Sequence, residues 1–139
     1  MVTQSIDGSP RLSTEQAALM AICGVALWLA AAVLLRWLAA AGALDGSMRL
    51  YVYFLTIPGT VPFVFALRRI GKLSADQLIP AYSLATAMAL LCDGVAVAWF
   101  PSLYGANPDH VRLAAAAILW GAGVGIFLAF AIAPKVRLG

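Results

Sequence analysis

The chain has 139 residues, of which 63% are hydrophobic and 11% are charged, and its formal net charge is +3 at pH 7. Soluble domains contain about 45–50% apolar and about 25% charged residues. This chain has too few polar side chains to cover a soluble surface, so its composition excludes a soluble globular domain and indicates an integral membrane protein. The positive charge fits contact with lipid headgroups and does not predict nucleic-acid binding.

The first predicted element is a mobile cytoplasmic tail over residues 1–13, which is polar and contains glycine and proline. Ser13 and Gln16 have the spacing of a capping box and predict that a helix starts here. An apolar run follows at residues 17–43, interrupted only by Arg36. A cleaved signal peptide is the alternative, but the run exceeds the about 7–15 apolar residues of such a peptide.

Three more apolar runs follow, at about residues 50–67, 77–100 and 111–133. A helix needs about 20 apolar residues to cross a hydrocarbon core about 30 Å thick, and each run is close to that length. Because the connections are short, we predict an all-α fold: an integral-membrane antiparallel four-helix bundle, up-down-up-down, over residues 14–139. The connections leave no room for a soluble domain.

The basic residues orient this bundle. With four spans, both tails and the middle loop share one side, which carries Arg11, Arg68, Arg69, Lys72, Lys135 and Arg137. The other side carries only Arg36, Arg49 and Arg112. The positive-inside rule then predicts that both termini are cytoplasmic.

Two charged residues lie inside the predicted spans at matched depth. Arg36 is seven residues before the end of the first span, and Asp93 is seven residues before the end of the third. At about 1.5 Å per residue, both lie about 10 Å inside the outer boundary. An unpaired charge there costs about 2.5–3.5 kcal/mol on insertion scales, so we predict that Arg36 and Asp93 form an ion pair.

The second span adds "IPGTVP" at the same level, with Pro58, Gly59 and Pro62 in mid-helix. A proline cannot bond the carbonyl four residues earlier, so Pro58 frees the carbonyl of Phe54. We therefore predict one polar cluster of Arg36, Phe54, Pro58, Gly59, Pro62 and Asp93. Two interpretations stay open: a structural ion pair beside a kink, or a site for a proton, ion or small polar solute.

The fourth span carries a small residue at every fourth position: Ala117, Gly121, Gly125, Ala129 and Ala133. Such stripes let helix backbones approach closely in lipid, so this face is predicted to pack against another helix. The partner helix belongs either to this chain or to another protein.

Cofactors and catalytic groups are not predicted. His110 is the only histidine, and Cys23 and Cys92 form no C-x-x-C motif. No nucleophile–base pair or set of metal ligands appears, so we do not expect an enzyme.

Three segments together resemble a known family: "ALWLAAAVLLRW", "IPGTVPFVFALRRIGKL" and "LLCDGVAVAWFPSLYG". The chain resembles an uncharacterised family of small bacterial four-span membrane proteins, classed as a domain of unknown function. The resemblance implies a bacterial inner-membrane location, with Arg36, Asp93 and residues 99–101 at family-like positions. It brings no established activity.

Two functions remain as hypotheses. The first is a non-enzymatic accessory subunit or interaction module of a membrane assembly, whose expected partners are the bilayer and either further copies of the chain or a larger complex. The alternative is a transporter or channel for a small solute, ion or proton that uses the Arg36–Asp93 cluster beside the kinked second span.

Overall fold

A computed structural model describes residues 11–137, and they are helical throughout except for short connections. The four long helices are α1 (Thr14–Ala40), α2 (Met48–Ile70), α3 (Leu78–Trp99) and α4 (Pro108–Arg137). Single 3₁₀ turns precede and follow α3, at Ala75–Gln77 and Pro101–Leu103. The all-α prediction is confirmed for the described range, which contains no strand. Residues 1–10 of the predicted tail lie outside it.

All four helices are long and apolar enough to cross a membrane. Their outward surfaces are apolar as well: Trp37 is 70% exposed, and Phe54 and Phe127 are each 72% exposed. In water such an exposed apolar surface favours aggregation, whereas lipid solvates it. The expectation of a membrane protein with four helical spans is therefore supported by length, composition and surface.

The capping box at the start of α1 is confirmed. The hydroxyl of Ser13 accepts a hydrogen bond from the Gln16 amide, and the Gln16 side chain accepts one from the Ser13 amide. These bonds satisfy backbone donors that the first turn of a helix leaves unpaired. In α2, the helix continues through both Pro58 and Pro62.

Two buried cores hold the helices together, one toward each end of the molecule. The first core gathers the start of α1, the end of α2, the start of α3 and the end of α4: Met20, Val64, Leu67, Leu73, Leu78, Ala81, Tyr82, Ala85, Ala129 and Ala133. The second core gathers the opposite ends: Ala32, Leu35, Ala39, Leu44, Ala96, Tyr104, Leu113 and Ala114.

The most extensive helix–helix interface joins α1 to α3. A Cβ at Gly24 would overlap the carbonyl oxygen of Ala85, so only glycine lets the two backbones approach this far. The other main interfaces are α2 with α4 and α3 with α4. Neighbours in sequence were expected to pack together. That holds for α3 and α4, but α1 and α2 do not pack along their lengths, and α2 and α3 meet at only a few positions.

Candidate functional site

The separation of α1 from α2 leaves a cavity of about 600 Å³, to which all four helices contribute. We call it the lateral groove. Its walls come from residues 27–38 of α1 and 52–67 of α2, and its floor comes from residues 82–93 of α3 and 117–122 of α4. Leu34 on α1, and Leu55 and Phe63 on α2, both line it and are at least half exposed. The groove therefore opens sideways, where lipid lies in a membrane.

Both ends of the groove are closed. At one end, Nε2 of Gln16 on α1 donates a hydrogen bond of 3.1 Å to the carbonyl of Gly71, directly after α2. At the other end, the connection between α1 and α2 inserts Leu44 into the second core, where it is 1% exposed. The lateral groove is thus a window in the middle of the molecule and does not run along its whole length.

One carboxylate, that of Asp93, lines this otherwise uncharged cavity. The hydroxyl of Tyr104 donates a hydrogen bond to Oδ1 of Asp93. Nε1 of Trp28 donates in turn to the Tyr104 oxygen, at 2.9 Å. Three separate segments, α1, α3 and the loop after α3, therefore meet in one hydrogen-bonded chain, which we call the Asp93 triad. It fixes the carboxylate about 9 Å from the end of α3, six residues before Trp99.

Tyr104 is the largest fully buried side chain in the described residues. It lies in the short loop between α3 and α4, outside the spans, with its ring in the second core. Burial raises the pKa of Tyr104, and the hydrogen bond to Asp93 raises it further. Its hydroxyl therefore stays protonated and remains a hydrogen-bond donor at neutral pH.

The predicted ion pair between Arg36 and Asp93 does not form in residues 11–137. Nη1 of Arg36 instead donates a hydrogen bond of 2.5 Å to the carbonyl of Ser102. The reason is the direction of the side chain. Leu35 faces the second core, and Arg36, the next residue, is turned about 100° away and is exposed. Its long side chain reaches along the surface to the loop between α3 and α4.

The rest of the predicted polar cluster is also divided. Gly59 lines the lateral groove together with Asp93. Phe54, Pro58 and Pro62 are exposed and do not line it. The prolines lie on the outward face of α2, because only one face of that helix packs on α4. The cluster of six residues is thus reduced to Asp93, on the floor of the cavity, and Gly59, on its α2 wall.

The two threonine hydroxyls of α2 form hydrogen bonds within their own helix. The Thr56 hydroxyl donates to the carbonyl of Val52 at 2.8 Å, and that of Thr60 donates to the carbonyl of Thr56 at 2.6 Å. Both threonines line the groove. Such back-bonding satisfies the donor of each hydroxyl and leaves its oxygen as a weak acceptor.

Aromatic rings complete the walls. Tyr53 and Trp120 stack with ring centroids 5.3 Å apart, and Nε1 of Trp120 donates to the Tyr53 carbonyl at 3.0 Å. Both rings line the groove, as do those of Trp28 and Tyr82. The result is a carboxylate in a cavity whose remaining surface is largely aliphatic and aromatic.

The small-residue stripe of α4 faces inward. Ala129 and Ala133 belong to the first core, and Ala117 packs against the second. A Cβ at Gly125 would overlap the Tyr82 hydroxyl, and one at Gly121 would lie 4.0 Å from Thr56. The stripe therefore brings α4 against α2 and α3 of the same chain.

Sequence reasoning missed Trp28 and Tyr104 as partners of Asp93. A tyrosine near a span end is typical of an interfacial aromatic belt, so the position of Tyr104 alone gave no sign of a contact with Asp93. The available signal was "FPSLYG": Pro101 turns the chain straight after α3, and such a turn folds the next side chains back over the helix end. A lone carboxylate in lipid needs a donor, and Tyr104 is the hydroxyl that this turn supplies.

In residues 11–137, no group of three or more histidine, cysteine, aspartate or glutamate side chains is placed to hold a metal ion. Comparison of the chain with protein-family models, with curated proteins and with solved structures gives no match. The resemblance to the four-span family of unknown function stays a prediction.

Proposed function

We propose that this protein is a non-enzymatic solute-binding membrane protein, of the class that includes small carriers, and that it binds a lipid-soluble molecule in the lateral groove. The observation that carries the proposal is a cavity of about 600 Å³ containing one carboxylate, Asp93. Small-molecule sites have volumes of about 300–1,000 Å³ and apolar walls with a few polar groups. The sideways opening gives access from the bilayer.

The shape of the groove favours a small molecule over a transmembrane helix from a partner. A spanning helix needs about 20 residues, or about 30 Å. The wall from α1 extends over residues 27–38, which is about 17 Å, and both ends are closed. A helix cannot lie in this window without opening one end.

The finer architecture is part of the same proposal: four antiparallel spans in up-down-up-down order, with both termini in the cytoplasm of a bacterial inner membrane. The two cores support the alternating order, because each gathers starts of odd-numbered helices with ends of even-numbered ones, or the reverse. The excess of lysine and arginine near the first core supports the orientation.

An accessory subunit or interaction module is the second candidate. Its supporting observation is that α2 buries only Val64 and Leu67, both near its end. The first two thirds of the helix therefore present a surface that a partner helix in the bilayer is able to cover. On this candidate, the outer face of α2 binds a protein and the groove is incidental.

Native mass spectrometry of the protein extracted in mild detergent tests the two candidates. The informative variant is Gly59→Phe, because Gly59 lines the groove and a Cβ there meets nothing within 4 Å. Gly123→Phe is the matched control, since Gly123 also has open space but is exposed and outside the groove.

We expect a small-molecule adduct on the wild-type protein and on Gly123→Phe that is absent from Gly59→Phe. Recovery of a stoichiometric protein partner with no small-molecule adduct contradicts solute binding and favours the accessory subunit. An adduct that survives in Gly59→Phe places the molecule outside the groove and contradicts the proposal as well.

A further inference from the structure

We infer that the molecule bound in the lateral groove is an organic cation with an apolar body, held by the carboxylate of Asp93 and by aromatic ring faces. The inference rests on the proposed function and names the chemical class of the solute. The charge of the cavity, the hydrogen bonds of Asp93 and the aromatic lining each favour a cation.

The charge of the cavity favours a positively charged occupant. Asp93 is the only acidic or basic side chain in the lining of the cavity, and Arg36, the counter-ion that the sequence predicted, is bonded to the Ser102 carbonyl. A carboxylate inside a membrane domain is stabilised by a cation or is neutralised by a proton. The protein supplies no cation here, so a charged occupant of complementary sign is positive.

The Asp93 triad holds the carboxylate in a defined position. The hydrogen bond from Tyr104 engages Oδ1, on the side of the loop, and Asp93 also lines the groove. Trp28 holds the Tyr104 oxygen and thereby fixes the direction in which its hydroxyl donates. The carboxylate is thus held in place from the side of the loop, and it also lines the cavity, where a positive group can approach it.

The aromatic side chains of the cavity also favour a cation. Trp28, Tyr53, Tyr82 and Trp120 line the same cavity as Asp93. Faces of tryptophan and tyrosine attract cations, most strongly where water is excluded. An anion gains nothing from these faces and is repelled by the carboxylate. An uncharged solute fits the apolar walls but gives Asp93 no counter-charge.

The experiment measures equilibrium binding of tetraphenylphosphonium to the purified full chain in detergent micelles, with protein-free micelles subtracted. Tetraphenylborate has nearly the same shape and the opposite charge, so it controls for apolar partitioning. Asp93→Asn removes the charge while its amide oxygen still accepts from Tyr104. Asp45→Asn makes the same chemical change at an exposed carboxylate in the loop before α2.

We expect wild type and Asp45→Asn to bind tetraphenylphosphonium alike and Asp93→Asn to bind it about tenfold more weakly, or worse, because a charge pair is lost from a poorly solvated site. Tetraphenylborate is expected to bind no better to the wild-type protein than to Asp93→Asn. Equal affinity of Asp93→Asn and wild type for tetraphenylphosphonium, or no measurable binding to wild type, overturns the inference of a cation.

The groove variants separate this inference from the proposed function. If Gly59→Phe abolishes binding of the probe and Asp93→Asn does not, the groove still holds a solute and only its charge class is wrong. If Gly59→Phe and Gly123→Phe both bind like wild type, the probe does not enter the groove and both proposals fail for this ligand.

A second measurement needs no substitution. Dicyclohexylcarbodiimide is a lipid-soluble reagent for carboxyl groups, and its addition to Asp93 is followed by peptide mass. Tetraphenylphosphonium is expected to slow this reaction severalfold, and tetraphenylborate is not. A modification rate that is the same with both ions contradicts the placement of the cation beside Asp93.

Discussion

The hydroxyl of Tyr104 donates a hydrogen bond to the carboxylate of Asp93, from the loop after α3 back onto the helix that the chain has just left. This bond holds the loop against the carboxyl-terminal end of α3, and Trp28 links it to α1 through the same hydroxyl. One side chain thereby serves as a link in the second core and as the support of the carboxylate in the lateral groove.

Tyr104→Phe is expected to destabilise the protein by about 1–3 kcal/mol, because it leaves both the carboxylate of Asp93 and the Trp28 N–H without this partner. Reversible unfolding in mixed micelles measures the change. Tyr51→Phe is the control, since Tyr51 is 65% exposed and its change should stay within about 0.5 kcal/mol. Equal stability of the two variants contradicts a role for the Tyr104 hydroxyl.

The stability contribution of Tyr104 should also depend on alkaline pH. The folded-state pKa of Tyr104 is raised, whereas the unfolded chain ionises this tyrosine near the usual value of about 10. The contribution is therefore fully present below about pH 10 and is lost as the pH rises from there toward the folded pKa. The difference in unfolding free energy between wild type and Tyr104→Phe should shrink above about pH 10, and a constant difference contradicts the shift.

Arg36 and Asp93 should act independently. Arg36→Gln removes the hydrogen bond to the Ser102 carbonyl, and Asp93→Asn removes a charge elsewhere. A double-mutant cycle for unfolding is expected to be additive within about 0.5 kcal/mol, because the two residues share no partner. A larger coupling energy of stabilising sign contradicts this independence and supports the ion pair that the sequence predicted.

Gly24→Ala tests the close approach of α1 and α3. Its Cβ would overlap the Ala85 carbonyl, so the helices must separate, at a cost of about 1–3 kcal/mol. Gly123→Ala adds the same methyl group where nothing lies within 4 Å, and alanine is the better helix former in water by about 1 kcal/mol. Unfolding in micelles should therefore separate the two variants clearly, and similar midpoints argue against the backbone contact.

Orientation is tested by fusing reporters to the carboxyl terminus. If that terminus is cytoplasmic, as the basic residues predict, green fluorescent protein fused there fluoresces and alkaline phosphatase fused there is inactive. The same pair of reporters fused after a truncation at Ala106, in the loop between α3 and α4, should give the opposite result. A fluorescent fusion at both sites contradicts the proposed order of spans.

Periodicity and composition predicted four helices, because membrane-spanning length and apolar content are properties of continuous segments. The Ser13 capping box was predictable for the same reason, since all its groups lie within four residues. Contacts between segments were harder. Matched depth suggested that Arg36 faces Asp93, yet depth says nothing about rotation around α1, and the core face passes through Leu35 instead.

The Asp93 triad could not be read from a repeat. Its three members come from two helices and a loop, and a loop has no period that places its side chains. The lateral groove could not be predicted from the sequence either, because it arises where α1 and α2 fail to pack. The sequence signals attraction between helices through small residues but carries no direct signal for a gap.

The glycine contact between α1 and α3 brings those two backbones together, whereas α2 packs mainly on α4 and meets α3 at only a few positions. A change in the width of the window is therefore easiest through bending of α2, the helix that contains Pro58 and Pro62. Asp93 lies on α3, within the closely packed pair of helices, and the opening of the groove lies beside α2. On the proposed function, a solute that enters past α2 therefore leaves the polar contacts of Asp93 undisturbed.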